Sequence, residues 1–226
     1  TFPLGPKTPP TRVDDSVAPA TGDNVSDGLD AWLQRCEANE QNVGWFYGSS
    51  HGMEAQEHVL LLQDAGRRAS EPYRNTLSID HVHRNLYKKT NKKSVVFADC
   101  CADLLEEATV SLDKVVGRTI GTIGPQELAK ARNDVERLVF KLRASPYGVT
   151  VKATENGLGY FTEALLKCLD GAGAVLDPDY DWCISPETLR KSVRFAGRYG
   201  FNRSDQDMNH VDEDGHREAE PIVMMH

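Results

Sequence analysis

The chain has 226 residues, of which 39% are hydrophobic and 27% charged, with a formal net charge of −8. No apolar run approaches the ~20 residues that a membrane span needs, and no basic start, apolar middle and small-residue cleavage site mark an export signal. Phosphate binding needs a basic surface, so nucleic acid is excluded as the main partner, and a basic substrate or partner suits the chain better. Five cysteines, Cys36, Cys100, Cys101, Cys168 and Cys183, are an odd set with two adjacent and no C-x-x-C pair. That pattern predicts neither a disulfide framework nor a zinc site. The expectation is a cytoplasmic protein that needs no metal and no organic cofactor.

Residues 1–22 are rich in Pro and Thr without a period and predict an irregular segment; the remainder, 23–226, reads as one domain. Val25, Leu29, Trp32 and Leu33 fall at helical spacing, with Ser26 or Asp23 as the cap. Short apolar runs at 43–47 and 58–63 predict strands, and 77–89 a helix that starts near Ser78 and carries His81 and His83 on a surface face. Residues 94–98 form a clean apolar strand that ends at Asp99-Cys100-Cys101, and a helix is expected from about Ala102. Pro125 followed by strong helix formers predicts a helix over 125–145, and 148–154 another strand. Residues 158–171 read as an amphipathic helix closed by Gly171. A further helix over 185–200 is capped by Ser185, with Pro186 at its first position and Glu187 in its first turn, and 220–225 is a last strand. Strands alternating with helices define an α/β fold with a largely parallel sheet.

Two positions carry chemistry. His51 follows an apolar run and precedes Gly52, and the Cys100-Cys101 pair ends another run 50 residues later. In open α/β sheets, reacting groups collect at the carboxyl ends of strands. A thiol beside an imidazole becomes a nucleophile, and a glycine N–H can approach a developing oxyanion. On spacing alone, a hydrogen-bonded structural histidine and a buried, inert cysteine remain the commoner explanation.

The motifs around these positions add a resemblance. "FYGSSHG" resembles the "FYFSGHG" strand and loop of caspase-like peptidases, and "VVFADCCADL" their nucleophile strand. "ATGDNVSDGLDAWL" resembles the helix before the histidine strand, "GYFTEALLKCLDG" the family's "GxFTxALLxALxG" helix, and "ISPETLRKSV" the helix that usually follows. The match runs in the expected order from about Ala20 to the C-terminus. It implies a caspase-like sandwich, a mostly parallel sheet with helices on both faces. It implies His51 as general base and acid, Cys101 as nucleophile, and the N–H groups of Gly52 and Cys101 as oxyanion hole. Cys101 is preferred over Cys100 because the family places Asp two residues before the nucleophile, which Asp99 satisfies.

In the arginine- and lysine-cleaving metacaspases the matching carboxylate lines the pocket for the residue before the cut, so Asp99 implies cleavage after Arg or Lys. The same carboxylate could instead cap the next helix. Partners implied are protein or peptide substrates with basic residues, and an activating protein or protease. Enzymes of this type are held latent, and Lys114, Arg118, Lys130 and Arg132 make 105–146 a candidate self-cleavage connector.

The match has departures. Metacaspases continue "DCCHSG", whereas Ala102, Asp103 and Leu104 stand here, and Ser50 replaces the small glycine before the histidine. These leave room for an inactive member that serves as scaffold or interaction module. The family's first central strand is not visible, so the domain is expected to be incomplete at its N-terminus. Residues 177–188 resemble a calcium loop weakly, because Trp182 replaces its turn glycine and Thr188 its bidentate Glu.

Overall fold

A computed structural model describes residues 17–54, 57–70, 74–86, 93–101, 103–104, 138–144, 159–179, 181–200 and 222–225. Most of the Pro-rich segment, the 105–146 connector apart from residues 138–144, the strand expected at 148–154 and the acidic run at 210–220 lie outside them.

The element order begins with α1 (Gly22–Glu37), β1 (Val43–Ser49), β2 (Gly52–Glu54), β3 (His58–Leu61), β4 (Thr76–Ser78) and α2 (Ile79–Leu86). It continues with β5 (Lys93–Asp99), β6 (Asp103–Leu104), β7 (Leu138–Arg143), α3 (Tyr160–Lys167), a π-turn (Cys168–Ala172), β8 (Val175–Leu176), β9 (Trp182–Ile184), α4 (Pro186–Gly200) and β10 (Val223–Met225). The central sheet runs β1-β5-β7, all parallel. A second sheet, β4-β3-β2-β6, follows from the carboxyl end of β1, and a small antiparallel sheet, β10-β9-β8, brings Ile184 into the core beside Val95 and Phe97.

Parallel strands covered on both faces read as continuous apolar runs, and β5 is one: Val95, Val96, Phe97 and Ala98 are all buried. Its pleat deals successive side chains to opposite faces. Val95 and Phe97 join Phe140, Leu142, Phe161, Leu165, Leu189 and Val193 under α3 and α4. Val96, Ala98 and Cys100 join Leu29, Leu60, Leu77, Ile79, Val82 and Leu86 under α1, α2 and the antiparallel β2–β3 hairpin. The fold is therefore the expected α/β sandwich.

Strand β1 follows the same alternation. Phe46 meets Trp32 of α1, with ring centroids 6.0 Å apart, while Trp45 meets Phe97 at 5.7 Å on the opposite face. Among the described residues β1 is hydrogen-bonded along one edge only.

Several local expectations are corrected. The first helix is capped by Thr21, whose Oγ1 accepts from Asn24 N, not by Ser26 or Asp23. Asp64 adds a second cap from a distance, accepting from Gly22 N at 3.0 Å.

The strongest correction is the helix expected through residue 145, because 138–143 is instead strand β7. Pairing with β5 wins over local propensity: Val139, Phe140 and Leu142 fill both cores, and the buried Lys141 and Arg143 are paired with acids from elsewhere in the chain. Residues 103–104 likewise join β2 as a strand rather than opening a helix.

The helix with His81 and His83 starts one residue later than expected, after β4, and is not a surface helix. Ile79, Val82, His83 and Leu86 are buried, with His83 Nε2 3.3 Å from Val139 O. Ser185 does cap α4: its Oγ accepts from Thr188 N at 3.2 Å, and its own N donates to Thr188 Oγ1 at 2.9 Å. Gly171, at φ 112°, ends the α3 segment in the left-handed region that glycine tolerates.

Among the described residues no helix is long and apolar enough to cross a membrane. Asp177, first in the calcium-like loop, spends Oδ1 on the backbone N–H groups of Asp179 and Asp181, and the same stretch runs on into β9 and α4.

Phe161 is 1% exposed in the α3 core, so Phe161→Ala is expected to cost about 3–5 kcal/mol. Phe195, 64% exposed on α4, should lose under about 1 kcal/mol on the same truncation. Denaturant titration of the two variants checks the contrast.

Candidate active site

The register of β1 against β5 pairs Ser49 with Asp99. Ser50 N then donates to Asp99 O at 3.4 Å, the last link between the two strands. His51 and Cys101 each follow two residues after that pair, at the carboxyl edge of adjacent parallel strands. The sequence analysis expected an imidazole and a thiol to meet at such an edge. His51 is exposed and Cys101 half-buried.

The histidine loop is clamped from behind by β3. Leu61 N donates to His51 O at 2.8 Å, and Ser50 Oγ donates to Leu61 O at 2.6 Å. Ser50, which stands where the family has glycine, is thus an anchor for the loop.

Gly52 opens β2 and lies against the cysteine strand. A Cβ there would come within 2.5 Å of Cys101 O and 2.8 Å of Cys100 Cβ, so only glycine fits. Gly52→Ala must push the two loops apart. It is expected to cost about 1–3 kcal/mol in overpacking and to slow alkylation of Cys101, which denaturation and mass spectrometry would read.

The two adjacent cysteines have opposite fates. Cys100 is 1% exposed, facing the hairpin, with Sγ 3.1 Å from His58 Nε2. Burial, then the nearby Asp99 charge, pushes its thiol far up, so it stays protonated. Cys101 emerges at the edge. The structure therefore separates a buried thiol from a more accessible one. None of the five cysteines is in a disulfide.

The Cys100–His58 contact was missed by sequence reasoning, which took 58–63 only as a strand. The sole signal was a histidine opening an apolar run. His58 is fully buried, and its Nε2 also lies 3.2 Å from Cys101 O.

Asp99, on the other face of β5, meets helix α3. Thr162 Oγ1 donates to its Oδ2, the Thr162 backbone adds a second hydrogen bond, and Tyr47 OH lies 2.6 Å from the same threonine oxygen. Gly159, the residue before α3, leaves the space that the carboxylate occupies. Asp99 thus caps a helix, but one sixty residues along the chain rather than the next. It is 4% exposed, and burial raises its pKa despite the Thr162 bonds.

Beneath the loops lies a layer of buried charge. Arg143 reaches Glu54 at 3.0 Å, and Lys141 reaches Asp80 at 2.7 Å; Asp80 also accepts from His58 N at 2.8 Å. Burial pushes the Asp80 carboxyl up, but Lys141 and the His58 N–H outweigh it and the net shift is downward. For Glu54 burial prevails over Arg143 and the pKa rises. Glu57, bonded by His81, Ser78 and Arg84, is lowered to about 2 against the same burial. Removing one partner of such a pair strands a buried charge, at about 3–5 kcal/mol.

An apolar groove of about 620 Å³ runs from His51 along β1, lined by Val25, Phe46, Leu60, Leu62 and Leu77 among others.

The caspase domain, a cysteine peptidase family (C14), matches residues 12–194, and the chain belongs to that family. It is also 26% identical over 182 residues to the uncharacterized protein y4kE of Sinorhizobium fredii, a match covering 78% of this chain and 47% of that protein. The chain thus spans about half the length of that relative.

Burial, and then the positive charge of Arg143, push His58 down from 6.5 to about 4; Cys101 O and Asp80 oppose this, and Lys141 adds to it. The folded state therefore keeps His58 neutral while the unfolded chain takes up a proton. Stability from this group is whole above pH 6.5 and is lost as pH falls toward 4, on the order of 3 kcal/mol in all. Denaturation at a series of pH values should show that loss, and His58→Gln should remove it. The Glu57 contribution is lost only lower, between 4.5 and about 2.

Proposed function

We propose that the chain is a caspase-type cysteine endopeptidase that cleaves after Arg or Lys, with Cys101 as nucleophile and His51 as general base and acid. The observation that carries this reading is the β1–β5 register, Ser49 opposite Asp99, which brings both residues to one sheet edge. The Cys101 thiol gives its proton to His51, and its sulfur attacks the peptide carbonyl carbon. The N–H groups of Gly52 and Cys101 receive the oxyanion. The C–N bond breaks as His51 protonates the leaving amine, and water then attacks the thioester, releasing the acid and restoring the thiol.

The preference for basic residues rests on Asp99. Burial disfavours its charged form, and an incoming guanidinium or ammonium stabilises that form. The Thr162 hydroxyl takes Oδ2, and Oδ1 is the candidate contact for substrate.

The test is a set of fluorogenic peptides ending in Arg, Lys or Asp, with wild type, Cys101→Ala, Cys100→Ala, Asp99→Asn and Asp99→Ala, before and after limited proteolysis. Arg cleavage is expected to vanish in Cys101→Ala and to persist within about twofold in Cys100→Ala. Asp99→Asn keeps an acceptor for Thr162, so it should lose Arg cleavage, on the order of 100-fold, while keeping its fold. Asp99→Ala should lose stability as well. Cleavage after Asp would overturn the specificity. Silence from wild type in every arm would leave an inactive domain that serves as scaffold. New N-termini within 105–146 in active material would support latency released by cutting the connector.

A further inference from the structure

We propose that His58 is a positioning residue for the nucleophile: its Nε2–H donates to the Cys101 carbonyl and fixes the peptide plane from which the thiol projects. The inference rests on the reading of Cys101 as nucleophile.

The Cys101 carbonyl is held between two neighbours. On one side is the Cα of Gly52, so close that a Cβ would reach within 2.5 Å of the oxygen. On the other is His58 Nε2 at 3.2 Å. Holding this oxygen restrains the torsion ψ of Cys101, and with it where the Cβ that carries the thiol and the N–H stand relative to the peptide plane that follows.

Two neutral tautomers are open to the ring. With the proton on Nδ1, a donor would be buried with no hydrogen bond among the described residues, and Nε2 would have none to give. With the proton on Nε2, the carbonyl receives a normal hydrogen bond and the Cys100 sulfur lies 3.1 Å away as a weak second acceptor. The second arrangement satisfies the stronger acceptor and orphans only a lone pair, so the geometry assigns the Nε2–H form.

His58 is itself rigidly mounted. It opens β3 opposite Glu54 of β2. Its backbone N donates to Asp80, which Lys141 of β7 anchors to the central sheet. The carbonyl of the nucleophile is thereby tied through His58 and Asp80 to β7, the strand beside β5. The groups that face the ring are Arg143 and Lys141 from β7, Asp80 from α2, and Cys100 and the Cys101 carbonyl from the end of β5.

The experiment compares wild type, Cys101→Ala, His58→Gln, His58→Asn and His58→Met in the full chain. It reads kcat and KM on an Arg-ended peptide, the rate of Cys101 alkylation by iodoacetamide, and thermal unfolding. Gln carries an N–H donor at nearly the reach of imidazole Nε2 and should keep kcat within about threefold. Met fills the space without a donor, and Asn places its donor a carbon short. Each should lose kcat by about 100-fold with little change in KM, as expected for a misplaced reacting group, and each should slow Cys101 alkylation.

A folded Met or Asn variant with wild-type kcat and alkylation overturns the proposal, as does a Gln variant no better than Met. Should Met fail to fold, the Gln–Asn contrast decides alone. Activity that survives in Cys101→Ala refutes the nucleophile assignment instead. In a chain with no turnover the alkylation rates still decide the role of His58.

Discussion

The parallel pairing of β1 with β5 is the constraint on which the site depends. Backbone hydrogen bonds fix Ser49 beside Asp99 without regard to the side chains that follow. The residues proposed to react are laid out by that ladder: one strand delivers a histidine, its neighbour a cysteine, and the parallel direction makes both leave the sheet at the same edge. An antiparallel pair would have sent them to opposite ends. Burial of both faces of β5, with Val95 and Phe97 on one side and Val96 and Ala98 on the other, makes the ladder costly to shift.

Three consecutive residues at the end of β5 show how a pleat divides labour. Asp99 turns to α3, where Thr162 and the helix N-terminus receive its charge. Cys100 turns to the hairpin and its sulfur meets His58. Cys101 leaves the ladder and remains half-buried at the edge. Each side chain is defined by the face it was dealt rather than by its own chemistry. Two identical thiols therefore become unlike groups: desolvation suppresses ionisation of one, while the other stays within reach of water.

The features legible in the sequence were those written locally. The apolar run of β5, the Ser185 capping signal before α4 and the glycine at position 171 each act within a few residues, and each has its expected place in the structure. The family pattern was legible because its motifs fall in order along the chain. What could not be read depends on partners distant in the chain. Strand β7 looked helical because Lys141 and Arg143 interrupt its apolar residues, and only Asp80 and Glu54, some sixty and ninety residues earlier, make their burial tolerable. The role of Asp99 as a cap needed α3 beside it. His58 looked like a strand residue because nothing near position 58 announces the carbonyl it faces.

The adjacent cysteines also bear on how this domain can change by insertion and deletion. A register shift of one residue at the end of β5 would carry Cys100 into the place of Cys101 at the edge and Asp99 into the place of Cys100. The displaced thiol would be in the right place but would no longer stand two residues after the carboxylate, which would itself have swung from α3 toward solvent or the opposite core. Having a spare thiol next door is therefore no insurance. The strand tolerates substitution in kind, but its length is as much a part of the site as any side chain on it.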